Sequence, residues 1–285
     1  MTEKSSVSLL DHGVSQDGLS TWFPWSTIVP TVDVESNKVG SPDVVIPTVD
    51  TTRHAHVMKA WLADKKPLIL CGPPGSGKTM TLQSTLSLLT NDIEIATLNF
   101  SSATTPDLLF KTFQRHCECK RAPGGETVMS PHNNKWLVVF CDEINLPQPD
   151  KFGTQRVITF MRQILENNGF WRFSQQDKSW TWVRLERVQF VGACNPPTDP
   201  GRTPLARRML RHVPVMMVDF PSESSLKQIY GTFIRALMRL LSPSLRQYSQ
   251  KLTDAMVEWF SRVQSHFTTD AQAHYVFSPR ELSRW

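Results

Sequence analysis

The sequence predicts an α/β fold, a parallel five-stranded sheet between helices, followed by a small helical lobe. Three observations carry that expectation. Short apolar runs alternate with helical stretches between Pro67 and Phe220, the pattern of parallel strands joined by covering helices. The first of these runs leads directly into a glycine-rich turn at Gly72. Beyond Pro221 the extended runs stop and helical periodicity takes over.

The elements follow in order. Residues 1 to about 20 are rich in Ser, Asp and Gly and read as a mobile tail. Trp22-Phe23-Pro24-Trp25 carries too much apolar surface for water and is expected to pack on the protein. Val44 to Pro47 is a short extended segment stopped by proline, and a helix is expected from Thr51 to Ala63. Pro67–Cys71 is the first buried strand, Lys78–Leu89 a helix and Ile93–Phe100 the second strand. Pro106 opens another helix, with Thr104 and Thr105 as cap candidates, and Pro123-Gly124-Gly125 marks a hairpin. Trp136–Cys141 is a third strand and Thr154–Asn167 a helix. In 169–187, Trp171, Phe173, Trp180, Trp182 and Leu185 flank a polar turn, which reads as a β-hairpin. Val188–Cys194 and Val213–Phe220 complete the five strands, and 222–241 and 252–267 are amphipathic helices.

Composition narrows the function. With 285 residues the chain is long enough for a two-lobed module with a proper core. Its formal charge of +5 is mild and its cations are scattered, Arg207, Arg208 and Arg211 being the one tight cluster before the C-terminal helices. That distribution argues against a nucleic-acid partner. No run of about 18 apolar residues is present to cross a membrane. Five cysteines without a CxxC pair, three of them inside apolar runs, read as free thiols of a reducing compartment. Cys117 and Cys119 with His116 and His132 match no zinc spacing.

Three motifs carry chemistry. Gly72-Pro73-Pro74-Gly75-Ser76-Gly77-Lys78-Thr79 is a complete G-x-x-x-x-G-K-[ST] between strand and helix. Such a loop curls backbone N–H groups around phosphate oxygens at a helix N-terminus. Lys78 is then expected on the β- and γ-phosphates and the Thr79 hydroxyl on Mg²⁺. A glycine-rich turn that merely links strand to helix requires neither residue. Second, the apolar run Val138–Cys141 delivers Asp142 and Glu143 to a sheet edge, Asp142 to bind magnesium and Glu143 to orient or activate water. Third, Asn195 ends the next strand, fixed by Pro196-Pro197, where its side chain can meet the γ-phosphate and the lytic water.

These motifs, in this order and followed by a helical lobe, resemble the AAA+ P-loop ATPases. The likeness is closer to the ring modules of dynein heavy chains. It is carried by Val45–Thr51 with Arg53-His54, by CGPPGSGKTMTL (Cys71–Leu82), LNFSSATTP (Leu98–Pro106) and FCDEINLP (Phe140–Pro147), and by FVGACNPPTDPGR (Phe190–Arg202), LRHVPV (Leu210–Val215) and SPRELSRW (Ser278–Trp285). Together they are most similar to the third module of the cytoplasmic ring.

The resemblance implies an ATP/ADP site with Mg, and hydrolysis as well as binding. It makes Asn195 the sensor I residue and Arg280 the sensor II arginine, and it extends the nucleotide-binding set to Val45, Ile46 and Met80. Arg208 matches the finger that acts on a neighbouring module, but Met209 replaces the usual aromatic residue and an extra arginine precedes it, so Arg207 and Arg211 stay open. The 171–182 hairpin matches an insertion that contacts a linker or neighbouring module, with core packing as the other account of its aromatics. Implied partners are neighbouring modules of the same heavy chain and, through the full-length protein, intermediate and light chains and microtubules in the cytoplasm.

The expected layout is an N-terminal extension over 1–43, a large α/β nucleotide-binding subdomain over 44–220, and a small helical lid over 221–285. The lid reads as incomplete, because the chain ends five residues after Arg280. Two other readings stay open: a stand-alone remodelling or chaperone ATPase, and a ring module that holds nucleotide without hydrolysing it.

Overall fold

A computed structural model describes residues 9–15, 20–41, 44–89, 91–174, 178–268, 270–272 and 274–284. In chain order its elements are β1 (His12–Val14), β2 (Trp22–Pro24), α1 (Val49–Ala63), β3 (Leu68–Cys71), α2 (Lys78–Ser87), β4 (Ile93–Asn99) and α3 (Pro106–His116). There follow β5 (Cys117–Arg121), β6 (Thr127–Pro131), β7 (Trp136–Asp142), α4 (Arg156–Asn167), β8 (Gly169–Ser174), β9 (Ser179–Leu185) and β10 (Val188–Cys194). The last are α5 (Arg207–Leu210), β11 (Val215–Met217), α6 (Glu223–Met238), α7 (Pro243–Arg246), α8 (Ser249–His266) and α9 (Pro279–Ser283). The chain divides into two compact units, one of Met58–Pro74 and Leu82–Val218, the other of Met1–Val57, Gly75–Thr81 and Asp219–Trp285.

The first unit holds the expected parallel five-stranded sheet, in the order β11-β3-β10-β7-β4. Strands covered on both faces read as unbroken apolar runs, and Leu137 to Cys141 of β7 are fully buried. Gly192 in β10 sits where a β-carbon would come within 3.0 Å of Ile69 and 3.2 Å of Ile144, so the central strands pack closely there. α3 and α4 bury one face each, Leu109 and Phe113 from the first, Val157, Ile158, Met161 and Ile164 from the second. Pro106 stands at the start of α3 with Thr105 at the cap position, though the Thr105 side chain makes no capping bond. The expected strand at 213–220 shortens to Val215–Met217; at its start Pro214 has no N–H to give, though its carbonyl accepts from Ile69 N at 3.0 Å.

A second sheet, in the order β5-β6-β9-β8, lies outside the sequence expectation as a sheet. Both hairpins were legible, β5–β6 around Pro123–Gly125 and β8–β9, whose turn residues 175–177 lie outside the described residues. Their parallel union, Thr127 to Met129 against Val183 to Leu185, joins segments far apart in sequence. The aromatics divide. Phe170 is buried against Phe110, Phe113 and Phe160 with ring centroids 4.9, 6.1 and 5.5 Å away, whereas Trp171, Phe173 and Trp180 are exposed. Core packing therefore accounts for Leu185 and in part Trp182, but not for those three.

In the other unit, part of the supposed mobile tail is built. Residues 9–11 form a helical turn and β1 pairs with β2, where Gly13 leaves room for the rings of Phe23 and Trp25. Residues 1–8 and 16–19 lie outside the described residues. Trp25 is buried as expected and stacks edge-on with His56, but Trp22 is exposed. The helical lobe centres on Leu226, Tyr230, Val257, Phe260 and Leu282. Segment 44–50 is tied to α6, since Gln228 Nε2 donates to the Pro47 carbonyl at 2.7 Å and Ser225 Oγ to Asp50 at 2.9 Å.

Candidate nucleotide site

Strand order explains where the sheet unit can receive a ligand. β3 and β10 are neighbours, and the connection leaving β3 runs to β4 on one side while that leaving β10 runs to β11 on the other; open α/β sheets bind ligands at such a switch point, beyond the carboxyl ends of the strands. Three of the sequence-predicted features meet on this edge. Gly72, the first loop residue, donates its N–H to the Cys194 carbonyl at 3.2 Å. Asp142, the last residue of β7, stands in register with Ala193 of β10. Asn195 follows Cys194 and is buried, its carbonyl accepting from Asn145 Nδ2 at 2.8 Å. Pro73 and Pro74 continue from Gly72.

The acids are held firmly. Asp142 Oδ1 accepts from Glu143 N at 3.0 Å, and the Asp142 carbonyl accepts from Phe100 N at 2.9 Å. Glu143 adopts φ 58°, left-handed backbone that a non-glycine residue rarely takes up and that clusters at functional sites. Its carboxylate Oε2 pairs with Arg202 Nη1 at 2.5 Å, at an angle that makes this an ion pair rather than an aligned hydrogen bond. Arg202 ends one of the sequence blocks above, yet its role was not read from the sequence. Nor was that of Asn145, which binds the turn after β10 to the turn after β7.

The remainder of the loop belongs to the other unit. Gly75 and Gly77 have φ +86° and +82°, which only glycine adopts freely, and Thr81 secures the first turn of α2 by donating to the Gly77 carbonyl at 2.9 Å. Lys78 is buried, Met80 is exposed, and Ser76 is buried with its Oγ lacking a hydrogen-bond partner among the described residues. An orphaned buried hydroxyl inside a loop of left-handed glycines ahead of a helix fits a phosphate group. Asp142 in the sheet unit offers a carboxylate and Thr79 in the other unit a hydroxyl, each a hard oxygen of the kind magnesium takes.

Arg280 stands beside Gly75, where an added β-carbon would lie 3.5 Å from Arg280 Cγ, and α9 is fixed by a capping box of Ser278 and Glu281. Tyr230 reinforces it, its hydroxyl donating to the Pro279 carbonyl at 2.7 Å. Ile46 is buried beside Val34 and Ala236, and Val45 is half-buried next to it.

Arg208 sits on α5, a single turn that packs on α4. Met209 takes the place of the expected aromatic and is buried in the sheet unit's core, which turns Arg207, Arg208 and Arg211 to solvent. Among the described residues none of the three forms an ion pair. The cysteine–histidine group resolves differently: His116 Nδ1 lies 2.5 Å from Glu94, and burial pushes the Cys117 thiol up to about 12. Cys141, fully buried, is pushed up by the same cause, and neither thiol is reactive.

Comparison with known proteins agrees over both units. Residues 32–221 match the family described as P-loop containing dynein motor region, and residues 233–285 match the dynein heavy chain ATPase lid domain. The chain is 64% identical over 282 residues to the cytoplasmic dynein heavy chain of Dictyostelium discoideum, 58% over 281 to that of Drosophila melanogaster and 54% over 277 to that of Caenorhabditis elegans. These alignments cover 99%, 99% and 97% of this chain but 6% of each relative, so the chain spans a small part of their length. A P-loop opening on the β3 edge, two acids closing β7 and a capped lid helix thus accompany family matches over most of the chain, and the chain belongs to the P-loop motor region of the dynein heavy chains.

Proposed function

We propose that this chain binds ATP with Mg²⁺ and hydrolyses it as one module of a dynein motor ring. The observation that carries the reading is the shared carboxyl edge of β3, β10 and β7, where the loop's first residue bonds to Cys194 and the acids emerge beside Ala193. Family membership sets aside the stand-alone remodelling ATPase.

On this reading Lys78 contacts the β- and γ-phosphates, while Gly72 to Thr79, Met80, Val45 and Ile46 form the nucleotide-binding set. Thr79 and Asp142 would hold Mg²⁺, which when bound neutralises charge growing on the phosphate oxygens. Glu143 orients the attacking water, Asn195 steadies it near the γ-phosphate, and Arg280 reaches that phosphate from the helical lobe. Little covalent chemistry is asked of these groups; they supply position and charge. Arg208 acts on the nucleotide of a neighbouring module.

Within the complete heavy chain the module occupies the third ring position and gates coupling between the main ATPase and microtubule binding in the cytoplasm, regulating minus-end-directed movement. Neighbouring modules are its direct partners, and intermediate and light chains meet it only through the whole protein. The sequence blocks that resemble the third module support that placement.

The test is a heavy chain carrying this segment as wild type, Lys78→Ala or Glu143→Gln, with nucleotide bound at this module identified through the cycle. Lys78→Ala should empty the site and Glu143→Gln should trap ATP in it. ADP retained throughout in the wild type would instead favour a structural module that never turns over.

A further inference from the structure

We infer that Arg202 is the residue that aims Glu143, a positioning residue for hydrolysis. The inference rests on the ATPase reading above and deepens it. A glutamate has three side-chain torsions, and a carboxylate that must orient one water molecule has to be held in one of many rotamers. Among the described residues one cation does so. Arg202 Nη1 lies 2.5 Å from Glu143 Oε2, and the arginine side chain is only 14% exposed, so the contact is shielded from solvent and salt. With Oε2 engaged, Oε1 has no partner among the described residues and is the oxygen left to accept from water. A base oriented by a third group is the arrangement that activated nucleophiles require.

The arginine is itself anchored, which a chance surface pair would not be. Its loop turns at Gly201, with φ +75°, and Arg202 N donates to the Asp199 carbonyl at 3.2 Å. Three bonds then fasten this loop to the segment that carries Glu143. Asn145 Nδ2 donates to the Asn195 carbonyl at 2.8 Å, Thr203 N to the Asn145 carbonyl at 3.0 Å, and Gln148 Nε2 to the Gly201 carbonyl at 3.2 Å. On the acid's side, Ile144 N donates to the Ala193 carbonyl at 3.1 Å and Leu146 N to the Glu143 carbonyl at 3.0 Å. Both partners of the ion pair are therefore mounted on one hydrogen-bonded frame, and the left-handed backbone of Glu143 points its side chain at that frame's cation. Lysine would keep the charge but place it on a more flexible stem, without the rigid planar guanidinium.

The experiment compares wild type, Arg202→Gln, Arg202→Lys, Glu143→Gln and the Arg202→Gln/Glu143→Gln double variant in a heavy chain carrying this segment. Single-turnover hydrolysis at this module and ATP affinity are both measured. Misplacing a catalytic group by about 1 Å costs on the order of 100-fold, so Arg202→Gln should lose about 10- to 100-fold in rate with affinity unchanged. Arg202→Lys should fall between, and the double variant should be no slower than Glu143→Gln, because a residue acting through Glu143 has nothing left to aim. A further loss in the double variant, or an equal loss of ATP affinity in both Arg202 variants, would make the arginine merely structural and overturn the inference. If Glu143→Gln alone hydrolyses at the wild-type rate, the ATPase reading fails first; if it is slow while Arg202→Gln is not, only the inference fails.

Discussion

Gly75 of the phosphate loop and Ser278 at the head of the last helix are in direct apposition: a β-carbon at Gly75 would stand 2.8 Å from Ser278 Oγ and 2.9 Å from its Cβ. The loop and the lid helix of Arg280 are thus fitted to one another by the absence of a side chain. Gly75 is also left-handed, so two separate constraints select glycine there.

Gly75→Ala and Gly77→Ala should therefore differ. Both place alanine at positive φ, at a cost of about 1–2 kcal/mol. At Gly77 the nearest heavy atom to the added carbon is Thr81 Oγ1 at 3.9 Å, ordinary contact, whereas Gly75→Ala must also displace Ser278. Thermal melting should show the larger loss for Gly75→Ala, and equal losses would contradict the apposition.

The capping box predicts an acid-dependent stability. Burial alone would raise the Glu281 carboxyl, but bonds from Ser278 Oγ at 2.6 Å and Ser278 N at 2.8 Å outweigh it and hold the group below its ordinary range. A carboxylate lowered on folding stabilises at pH above its unfolded value of about 4.3 and ceases to as pH falls through the folded value. Ser278→Ala should cost about 1 kcal/mol at pH 7, and the gap to wild type should narrow on acidification below about 4, leaving the part owed to the cap bond from Arg280 N. A gap that stays constant with pH would show that the carboxylate is not involved.

Phe170→Ala removes the ring on which Phe110, Phe113 and Phe160 converge. Emptying so well packed a site should cost about 3–5 kcal/mol in denaturant unfolding. Trp180→Ala, at an exposed position of the same hairpin, should change stability by less than about 0.5 kcal/mol.

Arg208→Ala should leave ATP affinity at this module unchanged while slowing hydrolysis at the neighbouring one by about 10³ to 10⁵. If Arg207→Ala or Arg211→Ala has that effect instead, the finger is the other arginine; all three are exposed, so the fold permits each. By the same reasoning the 285-residue chain, assayed without neighbours, should turn over ATP slowly, and rapid turnover by monomer would refute the dependence on a second module.

Much of this protein was legible because its signals are local. Strand-helix alternation, the loop from Gly72 to Thr79 and the acids after Cys141 are contiguous stretches whose periodicity and spacing reflect backbone sterics and burial. The parallel pairing of β6 with β9, the ion pair of Arg202 with Glu143 and the fit of Gly75 to Ser278 each join distant stretches. None leaves a periodic trace, since one polar residue in a turn looks like any other until folding sets its partner beside it. The same holds for Trp22 and Trp25, three positions apart, where packing buries one and leaves the other in water.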